Sequence, residues 1–253
     1  MLNVIEHGIK GGVPLIIVHG LYGSGRNWGV IAKRLSDRGH VIAVDQRNHG
    51  ESQWAAPHSY AAMASDLGEV VAHYGGTADV LGHSMGGKAA MMLALNNPGM
   101  VRCLVVADIA PVTYSHSQIQ YIHAMRAVDL SQVSKRSDAS DQLAKQVDDP
   151  ILQSFFTQSL DIASKRWKLN LDQLAEDMPD ILGFPEINAR FSAPTLFLTG
   201  ANSEYVLPEH RPAIRSLFPT ARFAKIANAG HWLHAEQPRA FEASVRAFFD
   251  AAT

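Results

Sequence analysis

Val80-Leu81-Gly82-His83-Ser84-Met85-Gly86-Gly87-Lys88 is the stretch on which the reading of this chain turns. An apolar pair runs into Gly-x-Ser-x-Gly, and an Ala-, Met- and Leu-rich segment then continues to Asn96, ahead of the breaker Asn97-Pro98-Gly99. A strand therefore passes into a helix through a very tight turn. Such a turn holds its serine in a strained backbone region, and the flanking glycines leave room for strand and helix backbones to approach. It also lifts the hydroxyl clear of the sheet at a helix N-terminus, where the dipole favours developing negative charge. Gly-x-Ser-x-Gly alone recurs by chance in many chains; with a strand before it and a helix after it, it marks Ser84 as a nucleophile.

Outward from this turn, short apolar runs alternate with longer helical patterns, the signature of a parallel sheet with crossover helices. Strands are predicted at residues 15–18, 41–44, 80–81, 103–107, 195–199 and 222–226, with an antiparallel edge strand at 2–7. Several are apolar throughout, as expected where helices cover both faces of the sheet. Helices are predicted at 28–38, at 60–74 after a Ser59 cap, at 85–96, and from Pro238 to about residue 250. The rhythm breaks between residues 114 and 190, which carry several helical stretches, many charges and no convincing strand. That segment reads as a helical cap inserted before the penultimate strand, with residues 1–113 and 191–253 forming the core domain. A cap there covers the C-terminal edge of the sheet, where open α/β sheets bind ligands. Its scattered Trp167, Phe155 and Met125 are candidates for lining a substrate pocket.

The partners of Ser84 follow from chain order, since on such sheets the acid and then the base come after the nucleophile. His231, in Asn228-Ala229-Gly230-His231-Trp232 beyond the last strand, is the candidate base, with His234 a helix-entry or pocket-rim residue. The strand at 15–18 opens into His19-Gly20-Leu21-Tyr22-Gly23, a turn able to aim backbone N–H groups at an oxyanion. Met85 supplies one donor and Leu21 the second, with Tyr22 as the alternative. Two carboxylates compete for the acid. Asp108 ends the strand at 103–107 beside apolar neighbours, where a buried carboxylate needs a partner, whereas Glu204 is the one acidic residue in Gly200-Ala201-Asn202-Ser203-Glu204, directly after the strand at 195–199.

Six stretches together resemble the YbfF-type esterases of the α/β-hydrolase superfamily. They are the Gly82–Lys88 turn, His19-Gly20-Leu21-Tyr22-Gly23, Asp45-Gln46-Arg47-Asn48-His49-Gly50-Glu51-Ser52, Asp108-Ile109-Ala110-Pro111-Val112, Gly200-Ala201-Asn202-Ser203 and Asn228-Ala229-Gly230-His231-Trp232. The resemblance spans nearly the whole chain, and its Asp-x-Arg-Asn-His-Gly stretch is more specific than the Gly-x-Ser-x-Gly turn. It implies the α/β-hydrolase fold and hydrolysis of a small-molecule carboxylic ester, or of a thioester such as acyl-CoA. It also implies that the acid follows the sixth strand of the core, which favours Asp108. Arg47 is expected to shape its loop through an ion pair or carbonyl contacts.

Composition excludes other classes. A formal charge of −2 offers no electrostatic footprint for nucleic acid. No apolar stretch is long enough to span a bilayer, and no signal-peptide pattern opens the chain, so a cytoplasmic location is expected. The single cysteine, Cys103, lies in an apolar run and reads as a core residue. The twelve histidines lack metal-ligand spacing, so neither metal nor cofactor is expected. A dehalogenase would need a carboxylate at position 84. Thioesterase, C–C hydrolase and perhydrolase chemistry on the same residues, and a non-catalytic receptor on this fold, are the remaining alternatives.

Overall fold

The computed structural model describes residues 1–252. Strands β1 (Val4–His7), β2 (Leu15–Val18), β3 (Val41–Val44), β4 (Ala78–His83), β5 (Val101–Ala107), β8 (Thr195–Gly200) and β9 (Ala221–Ile226) form one sheet in the order β1-β3-β2-β4-β5-β8-β9. Only β1 runs antiparallel, on the outside of β3; every other pairing is parallel. Successive residues of the inner strands enter two different apolar layers. Ile16, Val18, Val80, Leu104 and Val106 pack on one side, and Ile17, Leu81, Cys103, Val105 and Ala107 on the other. Two buried faces explain why these strands are apolar without a break.

Helices α2 (Tyr60–His73) and α3 (Met85–Asn96) cover the first face, and α1 (Gly29–Leu35) and α11 (Pro238–Ala252) the second. The Ser59 side chain accepts the Ala62 N–H and caps α2. Residues 85–95 of α3 are all buried, which is why that helix, Lys88 apart, carries no charged side chain on any side.

Between β5 and β8 the chain leaves the sheet through α4 (Ile119–Arg126), α5 (Arg136–Leu143), α6 (Pro150–Gln158), α7 (Leu171–Glu176) and α8 (Met178–Leu182). It also contains a two-stranded antiparallel ribbon, β6 (Leu160–Asp161) with β7 (Arg166–Trp167), where the sequence offered no strand. Two residues per strand are too few to establish an alternation. Two short helices, α9 (Arg211–Leu217) and α10 (Leu233–Glu236), complete the core.

Register now places the site. Val18 pairs with Gly82, His83 with Ala107, and Ala107 with Leu198. The residues that follow these strand ends, His19 to Tyr22, Ser84, Asp108 and Ala201 to Ser203, therefore emerge side by side at one edge of the sheet.

Candidate active site

Ser84 occupies the strand-to-helix turn with φ +53° and ψ −125°, a conformation that non-glycine residues adopt only where the surroundings impose it. Its N–H donates to the Ala107 carbonyl at 3.0 Å. The glycines are there for contact. A Cβ on Gly82 would lie 2.3 Å from the Gly86 carbonyl oxygen, and one on Gly86 would lie 2.4 Å from those of Val18 and His19. No side chain fits at either position.

His231 Nε2 lies 3.0 Å from Ser84 Oγ, and His231 Nδ1 lies 2.8 Å from Asp108 Oδ2. Asp108 is fully buried at φ +53°, and two further donors meet it: the Gly200 N–H at 3.0 Å on Oδ1 and the Ser203 hydroxyl on Oδ2. A buried carboxylate with three donors is compensated for its lost hydration. Glu204, the competing acid, is exposed, and the carboxylate that His231 meets is Asp108. The end of β8 and the loop after it thus donate to Asp108 through Gly200 and Ser203.

Two contacts fix the His231 ring that no motif foretold. The Tyr205 ring stacks on it at 3.8 Å and 18°, and His83 Nε2–H donates to the His231 carbonyl at 2.8 Å. Tyr205 is anchored in turn: Tyr114 Oη donates to its carbonyl at 2.6 Å and accepts the Ala110 N–H at 2.9 Å. The only available signal for Tyr205 was its place just beyond Gly200-Ala201-Asn202-Ser203. His234 stands at a helix entry, second in α10, and not on the rim of the cavity. It is buried, stacked on Trp28 at 4.1 Å, and its burial pushes the imidazole down to about 3.

The turn after β2 lies against Ser84. The Tyr22 N–H donates to His49 Nε2 at 3.2 Å, so it is already committed. The N–H groups of Leu21 and Met85 meet no acceptor among the described residues, and both residues line the cavity at Ser84. Of the two N–H groups named for the second donor, the one without an acceptor is therefore that of Leu21.

That cavity encloses roughly 640 Å³ of space, open mouth included, between the sheet edge and the inserted helices. Its walls include Leu152, Phe155, Phe156, Ile181, Leu182 and Trp232, and they are mainly apolar. Of the three cap residues singled out in sequence, Phe155 lines it. Trp167 and Met125 do not: both are buried in the insertion's own core, where Trp167 Nε1–H donates to the Met125 carbonyl at 3.0 Å. An aromatic on an amphipathic segment looks the same in sequence whether it faces a core or a pocket.

Lys88, one turn along α3, also borders the cavity, yet it is turned to structure. Its Nζ donates to the carbonyls of Val112, Leu182 and Gly183 at 2.5–2.9 Å, tying α3 to the end of α8, while burial pushes the ammonium down to about 7. Arg47 is bidentate to Asp66, at 2.6 and 2.8 Å, and donates to the Pro57 carbonyl. Cys103 is buried in β5, which pushes its thiol up to about 11, so it stays unreactive. Among the described residues no group of three metal-ligating side chains gathers, and no helix is long and apolar enough to cross a membrane.

The family described as the alpha/beta hydrolase fold matches residues 13–238. The chain is 41% identical to the sn-1-specific diacylglycerol lipase ABHD11 of Mus musculus, over 92% of this chain and 80% of that protein. It is 37% identical to esterase YbfF of Escherichia coli, over 94% and 93%. Among solved structures, a marine microorganism esterase superposes with a TM-score of 0.92 at 38% identity, covering 98% of both chains.

Proposed function

The chain belongs to the α/β-hydrolase family and is a serine ester hydrolase of the YbfF type, and on that premise we propose that Ser84, His231 and Asp108 are its catalytic triad. The observation that carries this reading is the unbroken line of hydrogen bonds from Asp108 through His231 to Ser84.

The chemistry follows from that line. Asp108 accepts a hydrogen bond from the Nδ1–H of His231, which fixes the tautomer that leaves Nε2 free to accept. As Ser84 Oγ attacks the ester carbonyl, its proton passes to Nε2, and Asp108 stabilises the imidazolium. The carbonyl oxygen becomes an oxyanion within reach of the Leu21 and Met85 N–H groups, at the N-terminus of α3. Collapse expels the alcohol, which takes the proton from His231 and leaves an acyl-enzyme. Water then repeats the sequence and releases the acid. No step calls for a metal or an organic cofactor.

The apolar walls support a substrate with an apolar acyl group. Residues 114–190 form the cap that supplies Phe155 and its neighbours to that pocket. Glycerolipid esters, on which the mouse relative acts by its name, belong to the same chemical class.

The test is a chain-length series of nitrophenyl esters and acyl-CoAs, run on the wild type and on Ser84→Ala. Turnover of apolar esters in the wild type and its absence in a folded Ser84→Ala variant are the expected results. Equal turnover in the two enzymes discards the assignment, and the acyl-CoA arm decides between oxygen esters and thioesters.

A further inference from the structure

The loop of residues 45–52 carries a motif more specific than the Gly-x-Ser-x-Gly turn, and the reaction derived above uses none of it. Its place in the molecule gives it a task. Tyr22, the residue after the proposed oxyanion donor Leu21, has φ +63°, a left-handed backbone that a bulky aromatic side chain does not choose on its own. All its polar groups are held. The N–H donates to His49 Nε2 at 3.2 Å, the carbonyl accepts the Ser159 hydroxyl at 3.0 Å, and the phenol donates to the Gln118 carbonyl at 2.9 Å.

His49 is built for this contact. Since Nε2 receives an N–H, the ring proton sits on Nδ1, which donates to the Arg47 carbonyl at 2.9 Å. Its ring is completely buried, and burial together with the neighbouring imidazoles of His19 and His58 holds it well below the usual histidine range. It therefore stays neutral and able to accept. Arg47 is pinned to Asp66, so the carbonyl that fixes the His49 tautomer is itself fixed. On its other side the loop joins the inserted segment: the Gly50 N–H donates to the Lys168 carbonyl at 2.8 Å, and the Asn170 N–H to the Asn48 carbonyl at 3.0 Å.

We propose that His49 is a positioning residue for the oxyanion turn. By accepting the Tyr22 N–H it locks the peptide plane next to the Leu21 donor, and Ser159 and Gln118 hold the same turn from the cap. The oxyanion site is then complete only while core loop and cap both grip Tyr22. This inference rests on the triad and oxyanion reading above and adds a residue that touches neither substrate nor Ser84. Without an acceptor at position 49, the buried Tyr22 N–H is unpaired and the strained backbone is free to relax.

Three variants test it, His49→Leu, His49→Gln and Ser159→Ala, with two ligands of equal chain length. One is a trifluoromethyl ketone, to which Ser84 Oγ adds reversibly, its proton passing to His231 and its oxyanion entering the proposed hole. The other is the matching secondary alcohol, which forms no oxyanion. Misplacing an oxyanion donor is expected to lower kcat of His49→Leu roughly 10²-fold with KM within about threefold, and to weaken the ketone by a similar factor. Affinity for the alcohol stays the same. His49→Gln, which keeps an acceptor, recovers about tenfold of the loss, and Ser159→Ala shows the same split at roughly tenfold. The proposal is overturned if kcat is unchanged, or if ketone and alcohol weaken equally. Should His49→Leu not fold, Ser159→Ala, a change of one cap hydroxyl, decides by the same criteria. Ser84→Ala run in parallel separates the two layers of argument. Turnover persisting there removes the triad reading, while its loss there beside unchanged His49 and Ser159 variants removes only the role of His49.

Discussion

Asp108 shows how much one residue's setting decides. It accepts from His231, Ser203 and the Gly200 N–H with no access to solvent, so an amide in its place would offer an N–H where an acceptor is required. Asp108→Asn is expected to lower kcat by about four orders of magnitude, because His231 would be held in the wrong tautomer. Glu204→Gln, at an exposed position, is expected to leave kcat within about twofold, as surface substitutions generally do. Steady-state ester kinetics on the two variants check this, and the reverse pattern would move the acid to Glu204. Ser84 and His231 were legible in sequence because a tight turn and a chain order constrain them. The choice of acid was open from the residues alone, since it depends on which strand-end loop folds back to meet His231. Tyr205 was invisible for a related reason: a stacking contact leaves no spacing pattern.

At the scale of elements, the sheet was readable because burial on both faces writes an apolar run for each inner strand. The boundaries moved where pairing continues past that run, as in β4, which extends through Gly82-His83 to register against Val106 and Ala107. The insertion was harder. Its existence was plain from the lost alternation, but which of its aromatics face the pocket was not. That distinction is testable. Phe155 lines the cavity and packs on Trp232 at 4.5 Å, so Phe155→Ala is expected to change KM and the preferred acyl length while the melting temperature shifts little. Trp167 is buried in the core of the insertion, and Trp167→Ala is expected to destabilise the protein by about 3–5 kcal/mol. Thermal melts with the ester series separate the two. A Trp167→Ala enzyme with normal stability and altered chain-length preference would contradict this division.

The whole molecule carries an unusual load of buried imidazole. His58 and His234 are pushed down to about 3, and His49 and His83 are held well below their usual range, in each case mainly by burial. The folded values lie below the unfolded one of about 6.5, so on acidification the unfolded chain takes up these protons first. The associated stability is present above pH 6.5 and is lost as pH falls below it, for His58 and His234 down to about 3, at roughly 1.4 kcal/mol per pH unit for each group. Melting temperatures are therefore expected to drop steeply between pH 6.5 and 5.5, above the range where carboxylates titrate; a flat profile there would mean these rings are protonated in the fold. The same long-range closure brings residues 84, 108 and 231 together at one sheet edge. The most direct test of that convergence is intact-protein and peptide mass spectrometry after treatment with a fluorophosphonate ester. The account predicts one adduct per chain, located on Ser84, formed at a rate that collapses in folded His231→Ala. Labelling at another residue, or labelling of Ser84 at an undiminished rate without His231, would contradict it.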